Sequence, residues 1–246
     1  KLNNFFIKNK FHVIINLSAY TNVDKAELNF EDALLVNRNL PYFLSKISLK
    51  YNCYLIHLST DYVFDGEKKT PYSERDIKNP INCYGLSKSL GEDTIISLNP
   101  KSIIIRTSWV YSEFGINFVK KIIDKSFNEK KFFVVDDQLS SPTSAFDIIV
   151  LIKSILENNF LKNLKSTEIF HYSNRGVCSN YTFAKEIIKI NNFDTEIVPI
   201  NSEKFNSIVN RPKYSFLDTN KIENILHIKI NNWKYSLKKF FNDKPI

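Results

Sequence analysis

Glycine is scarce, with only 5 in 246 residues, at positions 66, 85, 91, 115 and 176. No Gly-x-Gly-x-x-Gly or Gly-x-x-Gly-x-x-Gly string exists in the chain, so it offers no turn of the kind that lays a pyrophosphate on helix N-terminal amides. Methionine is absent and residue 1 is Lys. The start is therefore read as processed or as the edge of a fragment, and the lack of a targeting signal there carries little weight. Cysteine occurs three times, at 53, 83 and 178, with no Cys-x-x-Cys pair, which argues against a disulfide framework or a zinc site and suits a reducing, cytoplasmic setting. The longest unbroken apolar stretch runs from Ile148 to Ile152, far short of the roughly 18 residues that suggest a membrane span.

With 43% hydrophobic and 24% charged residues, the chain is expected to be globular, with one large domain or two modest ones. The net charge of +8 raises the question of a polyanionic partner. Five arginines stand against 29 lysines, and Asn and Ile are heavily used; these residues share A/T-rich codons, so the lysine excess reads as compositional. The lysines are scattered and form no basic block interleaved with aromatics. Neither nucleic acid nor membrane is expected as a partner.

Hydrophobic periodicity organises the first half. Val13 to Leu17, Cys53 to Leu58 and Ile103 to Ile105 are short, continuous runs rich in β-branched residues, the pattern of buried parallel strands. Between them, Asn29 to Lys50 and Ser87 to Leu98 carry apolar residues at helical spacing. Strand–helix–strand repeats with right-handed crossovers define an α/β class. In the second half, helices are predicted over 118–127, 144–156, 181–190 and 232–241, and strands over 132–135 and 168–172. Asn- and Lys-rich stretches at 158–165 and 191–195 separate them, suggesting a smaller α+β lobe. The change of lobe is placed near 109–115: residues 1–110 form the sheet domain and 111–246 mainly the second lobe, with part of 118–156 returning to the sheet.

Ligands of open parallel sheets collect beyond the carboxyl ends of the strands. Two of these ends are polar here: Ser18-Ala19-Tyr20-Thr21 and Ser59-Thr60-Asp61. Any one such residue is more often a turn or cap. Tyr84-Gly85-Leu86-Ser87-Lys88 adds a second signal, because a tyrosine and a lysine at i and i+4 share one helix face. A free phenol titrates near 10 and is a poor acid at neutral pH, and a fixed positive charge lowers its pKa. Tyr84 is thereby expected to act as general acid toward a carbonyl oxygen, Lys88 to lower its pKa, and Thr60 to give a second hydrogen bond. An exposed Tyr/Lys pair is the bland alternative in a chain with 12 tyrosines.

Longer strings carry more information. They are Ala19-Tyr20-Thr21-Asn22-Val23-Asp24-Lys25-Ala26-Glu27, Ser59-Thr60-Asp61-Tyr62-Val63-Phe64-Asp65-Gly66 and Asn82-Cys83-Tyr84-Gly85-Leu86-Ser87-Lys88. Arg106-Thr107-Ser108-Trp109-Val110-Tyr111, Asp137-Gln138-Leu139-Ser140-Ser141-Pro142-Thr143 and Arg211-Pro212-Lys213-Tyr214-Ser215-Phe216-Leu217-Asp218-Thr219 follow in order. Together they resemble the dTDP-4-dehydrorhamnose reductase family of extended short-chain dehydrogenase/reductases, from about residue 11 to the C-terminus.

The resemblance implies a Rossmann-like, doubly wound parallel sheet with a smaller substrate lobe. It implies NADPH- or NADH-dependent reduction of the C4 keto group of dTDP-4-dehydro-L-rhamnose, in the synthesis of dTDP-L-rhamnose for surface polysaccharide. Tyr84 matches the proton donor, Lys88 the residue that tunes it and holds the nicotinamide ribose, and Thr60 the hydroxyl beside the reacting oxygen. Ala19, Tyr20 and Thr21 match a cofactor-contacting strand end. Thr60, Asp61 and Trp109 match positions facing the dTDP-sugar; core packing is nearly as good a reading of Trp109. A homodimer is one assembly compatible with the family.

Two departures stand out. The family's glycine-rich first strand–turn–helix has no counterpart, so about 45 residues are expected to be missing before Lys1, with dinucleotide binding weakened accordingly. Ser140 stands where the family usually has Gly. The four histidines, 12, 57, 171 and 227, form no metal-binding pattern, and no catalytic metal is expected; His57 and His171, within apolar strands, read as core histidines. A turn is the simpler reading of Asp136 and Asp137. Two competing readings share the scaffold: the regulatory subunit of methionine adenosyltransferase, which is not an enzyme, and a sugar-nucleotide epimerase, against which the string around Gln138 argues.

Overall fold

A computed structural model describes residues 2–98, 100–204 and 207–243. In chain order the first half holds α1 (Leu2–Lys8), β1 (Val13–Asn16), α2 (Val23–Leu28), α3 (Phe30–Leu34), a π turn (Leu35–Asn39), α4 (Leu40–Tyr51), β2 (Tyr54–Thr60), α5 (Cys83–Leu98), β3 (Ser102–Thr107) and β4 (Val110–Tyr111). The second half holds α6 (Phe118–Asn128), β5 (Lys131–Val135), β6 (Leu139–Ser140), β7 (Thr143–Ser144), α7 (Ala145–Glu157), α8 (Phe160–Asn163), β8 (Glu168–His171), β9 (Cys178–Ser179), α9 (Asn180–Ile190), β10 (Glu196–Ile200), α10 (Asn220–Leu226) and α11 (Trp233–Asp243).

The three apolar runs of the first half pair in parallel as β1-β2-β3, the α/β arrangement their composition indicates. The expected burial holds for β2 and β3 but not for β1, which lies at the sheet edge with Ile15 and the adjacent Leu17 exposed. All six residues of β3 are buried, which is why its pattern is continuous and not alternating. A fourth strand, β8, extends the sheet on the far side of β3. This departs from the placement of 168–172 in the second lobe. Phe170 and His171 are buried there, and a strand covered on both faces is stable only inside a sheet.

Among four apolar clusters of the described residues, two hold most of the core, and a smaller one joins Leu55 and Ile104 of the sheet to Leu44 of α4 and Ile95 of α5. Ile56, Ile103, Ile105 and Phe170 of the sheet pack against Ile148, Leu151, Ile152 and Ile155 of α7 and against Ile222 and Leu226 of α10. A second cluster gathers Val119 and Ile122 of α6, Phe132 and Val134 of β5, Phe183 and Ile187 of α9, and Trp233 and Leu237 of α11. Burying a large aliphatic or aromatic side chain contributes about 1.5–3 kcal/mol, so each cluster is a substantial core. Within 118–156, only α7 packs against the sheet; α6 and β5 lie in the second cluster. Strand β10, parallel to β5, has no counterpart in the sequence reading, because its five residues are mostly half-exposed and include Pro199.

The single helix expected over 29–50 is interrupted by the π turn. Pro41 follows at the start of α4 and has no N–H to give to the carbonyl of Asn37 four residues back, so the regular ladder is broken there. That carbonyl lies against α5 at Gly91, where a Cβ would come within 2.0 Å of it. Helix α5 itself begins at Cys83, four residues before the expected Ser87. The Asn82 side chain caps it by accepting from the Gly85 N–H at 2.8 Å, and Glu27 accepts from the Cys83 N–H at 2.8 Å. At Gly85 a Cβ would sit 2.2 Å from the carbonyl oxygen of Tyr62.

Both contacts are with backbone, which cannot swing aside, so Gly91→Ala and Gly85→Ala should each cost about 1–3 kcal/mol or more through overpacking. Urea denaturation reads this as a lowered midpoint, and an unchanged midpoint would show that the helix does not need the close approach.

Candidate active site at the carboxyl end of the sheet

Strand β2 ends in Ser59 and Thr60, and Asp61 opens a short 3-10 turn that Thr60 caps by accepting from the Tyr62 N–H at 3.2 Å. Helix α5 runs back beside this end. Its residues Tyr84, Lys88 and Glu92 recur every four positions and therefore form one stripe. Thr60, Asp61, Tyr84 and Lys88, picked out separately in the sequence, thus lie together.

Lys88 is 1% exposed. Its ammonium donates to the carbonyl of Leu58 at 2.7 Å and lies 3.4 Å from His57 Nε2. Burial lowers its pKa to about 8, with the Glu92 carboxylate working in the opposite direction. The Tyr84 phenol is pushed up to about 12 by burial; the Thr60 hydroxyl, within hydrogen-bonding reach, pulls it down and the charge of Asp61 raises it. Lys88 is not among the groups that offset this rise here. The ammonium is held by the Leu58 carbonyl, and the phenol in this structure answers to burial, Thr60 and Asp61. Tyr62 packs edge to face on Tyr84, ring centres 5.7 Å apart.

Asp61 is buried. Its carboxyl accepts from Thr60 Oγ1 at 3.1 Å, from Ser215 and, at 3.4 Å, from Ser140. Burial raises its pKa to about 7, against the pull of these hydrogen bonds. The carboxyl is therefore engaged within the protein, where the resemblance had it facing the sugar. Ser140, at the family's glycine position, is fully buried and joins this network.

The loop after β1 is held by a residue the sequence reading did not single out. Asn37, in the π turn and fully buried, accepts from the Tyr20 N–H at 2.8 Å, donates to the Tyr20 carbonyl at 3.0 Å, and donates to Ser87 Oγ at 2.9 Å. It ties the backbone of Ala19-Tyr20-Thr21 to α5 one residue before Lys88; Thr21 is exposed. An asparagine inside an apolar helical pattern was the available signal. On β3, Thr107 lies opposite Thr60 in the register. Its buried hydroxyl has no partner among the described residues.

Trp109 follows at φ +44, a left-handed conformation costly for a bulky residue and concentrated at functional sites. It is half-buried against the second core cluster, and its carbonyl accepts from Thr143 at 3.2 Å. It thus borders both the strand end and the second core. Ser179 bonds Asp136 and Ser202 bonds Asp137, so both carboxylates are occupied by neighbouring serines.

Beneath the site, Glu92 and Arg106 form a fully buried pair through two bonds, Nε to Oε1 at 2.9 Å and Nη2 to Oε2 at 2.7 Å. Ser59 donates to Glu92 at 2.6 Å, and Arg106 Nη1 lies 3.3 Å from His171 Nε2. Burial pushes the Glu92 carboxyl up, but Arg106, Lys78 and Ser59 outweigh it and leave it below its ordinary 4.5. His171 is lowered to about 3 by burial and by Arg106, and His57 well below its usual value by burial and by Lys88. Both rings are neutral core histidines.

Removing one partner of such a pair strands a buried charge, so Glu92→Gln should cost about 3–5 kcal/mol at neutral pH. A depressed carboxyl contributes stability above its ordinary pKa and loses it as pH falls through the folded value. Urea midpoints at neutral and acid pH should therefore fall further on acidification in the parent than in Glu92→Gln; equal falls would refute the assignment.

Comparison with known proteins agrees with this geometry. The family model described as RmlD substrate binding domain matches residues 1–245. The dTDP-4-dehydrorhamnose reductase of Sinorhizobium fredii is 39% identical over 232 residues, covering 92% of this chain and 78% of that protein. That of Aggregatibacter actinomycetemcomitans is 37% identical over 235 residues, covering 93% and 80%. Among solved structures, the Bacillus anthracis dTDP-4-dehydrorhamnose reductase in complex with NADP superposes with a TM-score of 0.93 at 33% identity, covering 99% of this chain and 84% of that one. With the strand end, the Tyr84/Lys88 helix and the second core all falling within these matches, the chain belongs to the RmlD family, that of the dTDP-4-dehydrorhamnose reductases.

Proposed function

We propose that the protein reduces the C4 ketone of dTDP-4-dehydro-L-rhamnose to dTDP-L-rhamnose, with NADPH or NADH as hydride donor. The observation that carries this reading is the convergence of the Tyr84 phenol, the Thr60 hydroxyl and the Lys88 ammonium at the carboxyl end of a parallel sheet, in a chain matched by such reductases over more than nine-tenths of its length.

The side chains present fit the nicotinamide end of a dinucleotide. Lys88 is a buried cation beside the strand end, Thr107 has a buried hydroxyl to give, and the Tyr20 backbone is fixed by Asn37. Lys88 would hold the nicotinamide ribose, and Ala19, Tyr20 and Thr21 would line the same end. When bound, the reduced nicotinamide supplies the hydride. Tyr84, kept protonated by burial, gives its proton to the ketone oxygen as C4 becomes tetrahedral. The phenolate left behind is stabilised by Thr60 and by Lys88, which is mostly charged at neutral pH. Trp109 and the Thr60-Asp61 end border the sugar, with Asp61 acting through Thr60.

The same reading places the enzyme in the cytosol, acting on a soluble dTDP-sugar. A homodimer is the assembly this reading carries, and sedimentation that gives the monomer mass would refute it. No helix among the described residues is long and apolar enough to cross a membrane.

Tyr84→Phe should lower kcat for ketone reduction by about 10²- to 10⁴-fold, with KM little changed. Nicotinamide absorbance reports the rate, and near-parental turnover would overturn the assigned acid.

A further inference from the structure

Asp61 is 2% exposed, and the groups that bond its side chain are three neutral hydroxyls and its own backbone N–H. Oδ1 accepts from Thr60; Oδ2 accepts from Ser215 and Ser140. The two serines come from segments that close over the end of β2. Ser140 lies in β6, and the chain around Ser215 runs beside it, with the Ser215 N–H donating to the Leu139 carbonyl at 2.9 Å and the Leu139 N–H to the Lys213 carbonyl at 2.8 Å. The titratable groups facing Asp61 are Tyr62, on its own turn, and Tyr84, on α5. Arg211, in the segment leading to Ser215, reaches Tyr62 and pairs with Asp24.

A hydroxyl has one proton to give and two lone pairs to accept with. When Thr60 donates to Asp61, it can only accept from the Tyr84 hydroxyl. When Asp61 carries its own proton, Thr60 is free to donate toward the Tyr84 oxygen. We propose that Asp61 is a positioning residue that sets the direction of the Thr60 hydroxyl, toward the carboxylate when Asp61 is ionised and toward the Tyr84 phenol oxygen when Asp61 is protonated, with Ser140 and Ser215 holding the carboxyl in register. Burial brings this change of state to about pH 7.

No covalent bond is made or broken. For the reduction assigned above, on which the catalytic meaning of this device rests, the protonated state is the productive one, since the developing Tyr84 phenolate needs the Thr60 proton.

The test uses the chain alone, without sugar or nicotinamide, so it stands or falls apart from the reductase assignment. Carbon-13 NMR follows the Asp61 carboxyl, assigned through Asp61→Asn, and the Tyr84 phenol carbon, assigned through Tyr84→Phe, between about pH 5.5 and 8.5. In the parent, both signals should step with one shared midpoint. In Thr60→Val the Tyr84 step should shrink by about twofold or more while Asp61 still titrates, and Thr60→Ser should restore it. Ser215→Ala removes a donor to the ionised carboxylate and should move both midpoints upward together. A Tyr84 step unchanged in Thr60→Val would show that the charge acts through space and not through the hydroxyl. An Asp61 signal flat across the range, or midpoints that separate in Ser215→Ala, would equally overturn the proposal.

Discussion

Helix α5 must lie against the end of β2 and against the π turn at backbone contact distance, and the site depends on that constraint. Gly85 under the Tyr62 carbonyl and Gly91 under the Asn37 carbonyl leave no room for a side chain. With the helix that close, the stripe of Tyr84, Lys88 and Glu92 faces the sheet, and each residue meets a different partner along it. Tyr84 meets Thr60 at the strand end, Lys88 meets the Leu58 carbonyl, and Glu92 meets Ser59 and Arg106. Any rotation or lift of α5 would break all three at once, so the ion pair beneath also orients the acid above it.

Such an arrangement is expensive to build. Taking a charge out of water costs several kcal/mol unless partners replace the lost hydration, and here three charged groups of the stripe and its floor are buried together. The molecule meets that cost by complete satisfaction of Glu92, whose two oxygens are shared by Arg106, Ser59 and Lys78. Asp61 is satisfied by neutral groups alone, which compensate less, and its pKa rises accordingly. Two segments distant in sequence enter the site at this point, through Ser140 and Ser215, while Arg211 ties the second of them to Asp24 of α2 at 2.8 Å. Packing of these segments and the protonation of a buried carboxyl are thus one physical problem.

Continuous β-branched runs announced β1, β2 and β3, and the Tyr84/Lys88 spacing announced the site helix, because β propensity, burial in β2 and β3, and the helical repeat all leave a local mark. The π turn left only Pro41 and a polar residue in an apolar stripe, and it was read as an unbroken helix. Strand β8 was recognised as a strand but given to the wrong layer, since parallel pairing is a relation between distant segments and four residues do not say which neighbour they take. Asn37, Thr107, Ser215 and the Glu92–Arg106 pair were missed as site components for the same reason: their partners lie between 14 and 154 residues away.

The residue types and spacings alone determined the α/β class, the family, and the grouping of Thr60, Asp61, Tyr84 and Lys88, since each follows from periodicity or from strings short enough to read along the chain. Only the tertiary structure decided the electrostatics. It turned Lys88 toward a backbone carbonyl, set the Tyr84 phenol above its ordinary range and enclosed Asp61 among serines, because burial and the distances between remote segments govern a proton's affinity, and neither is written in local order.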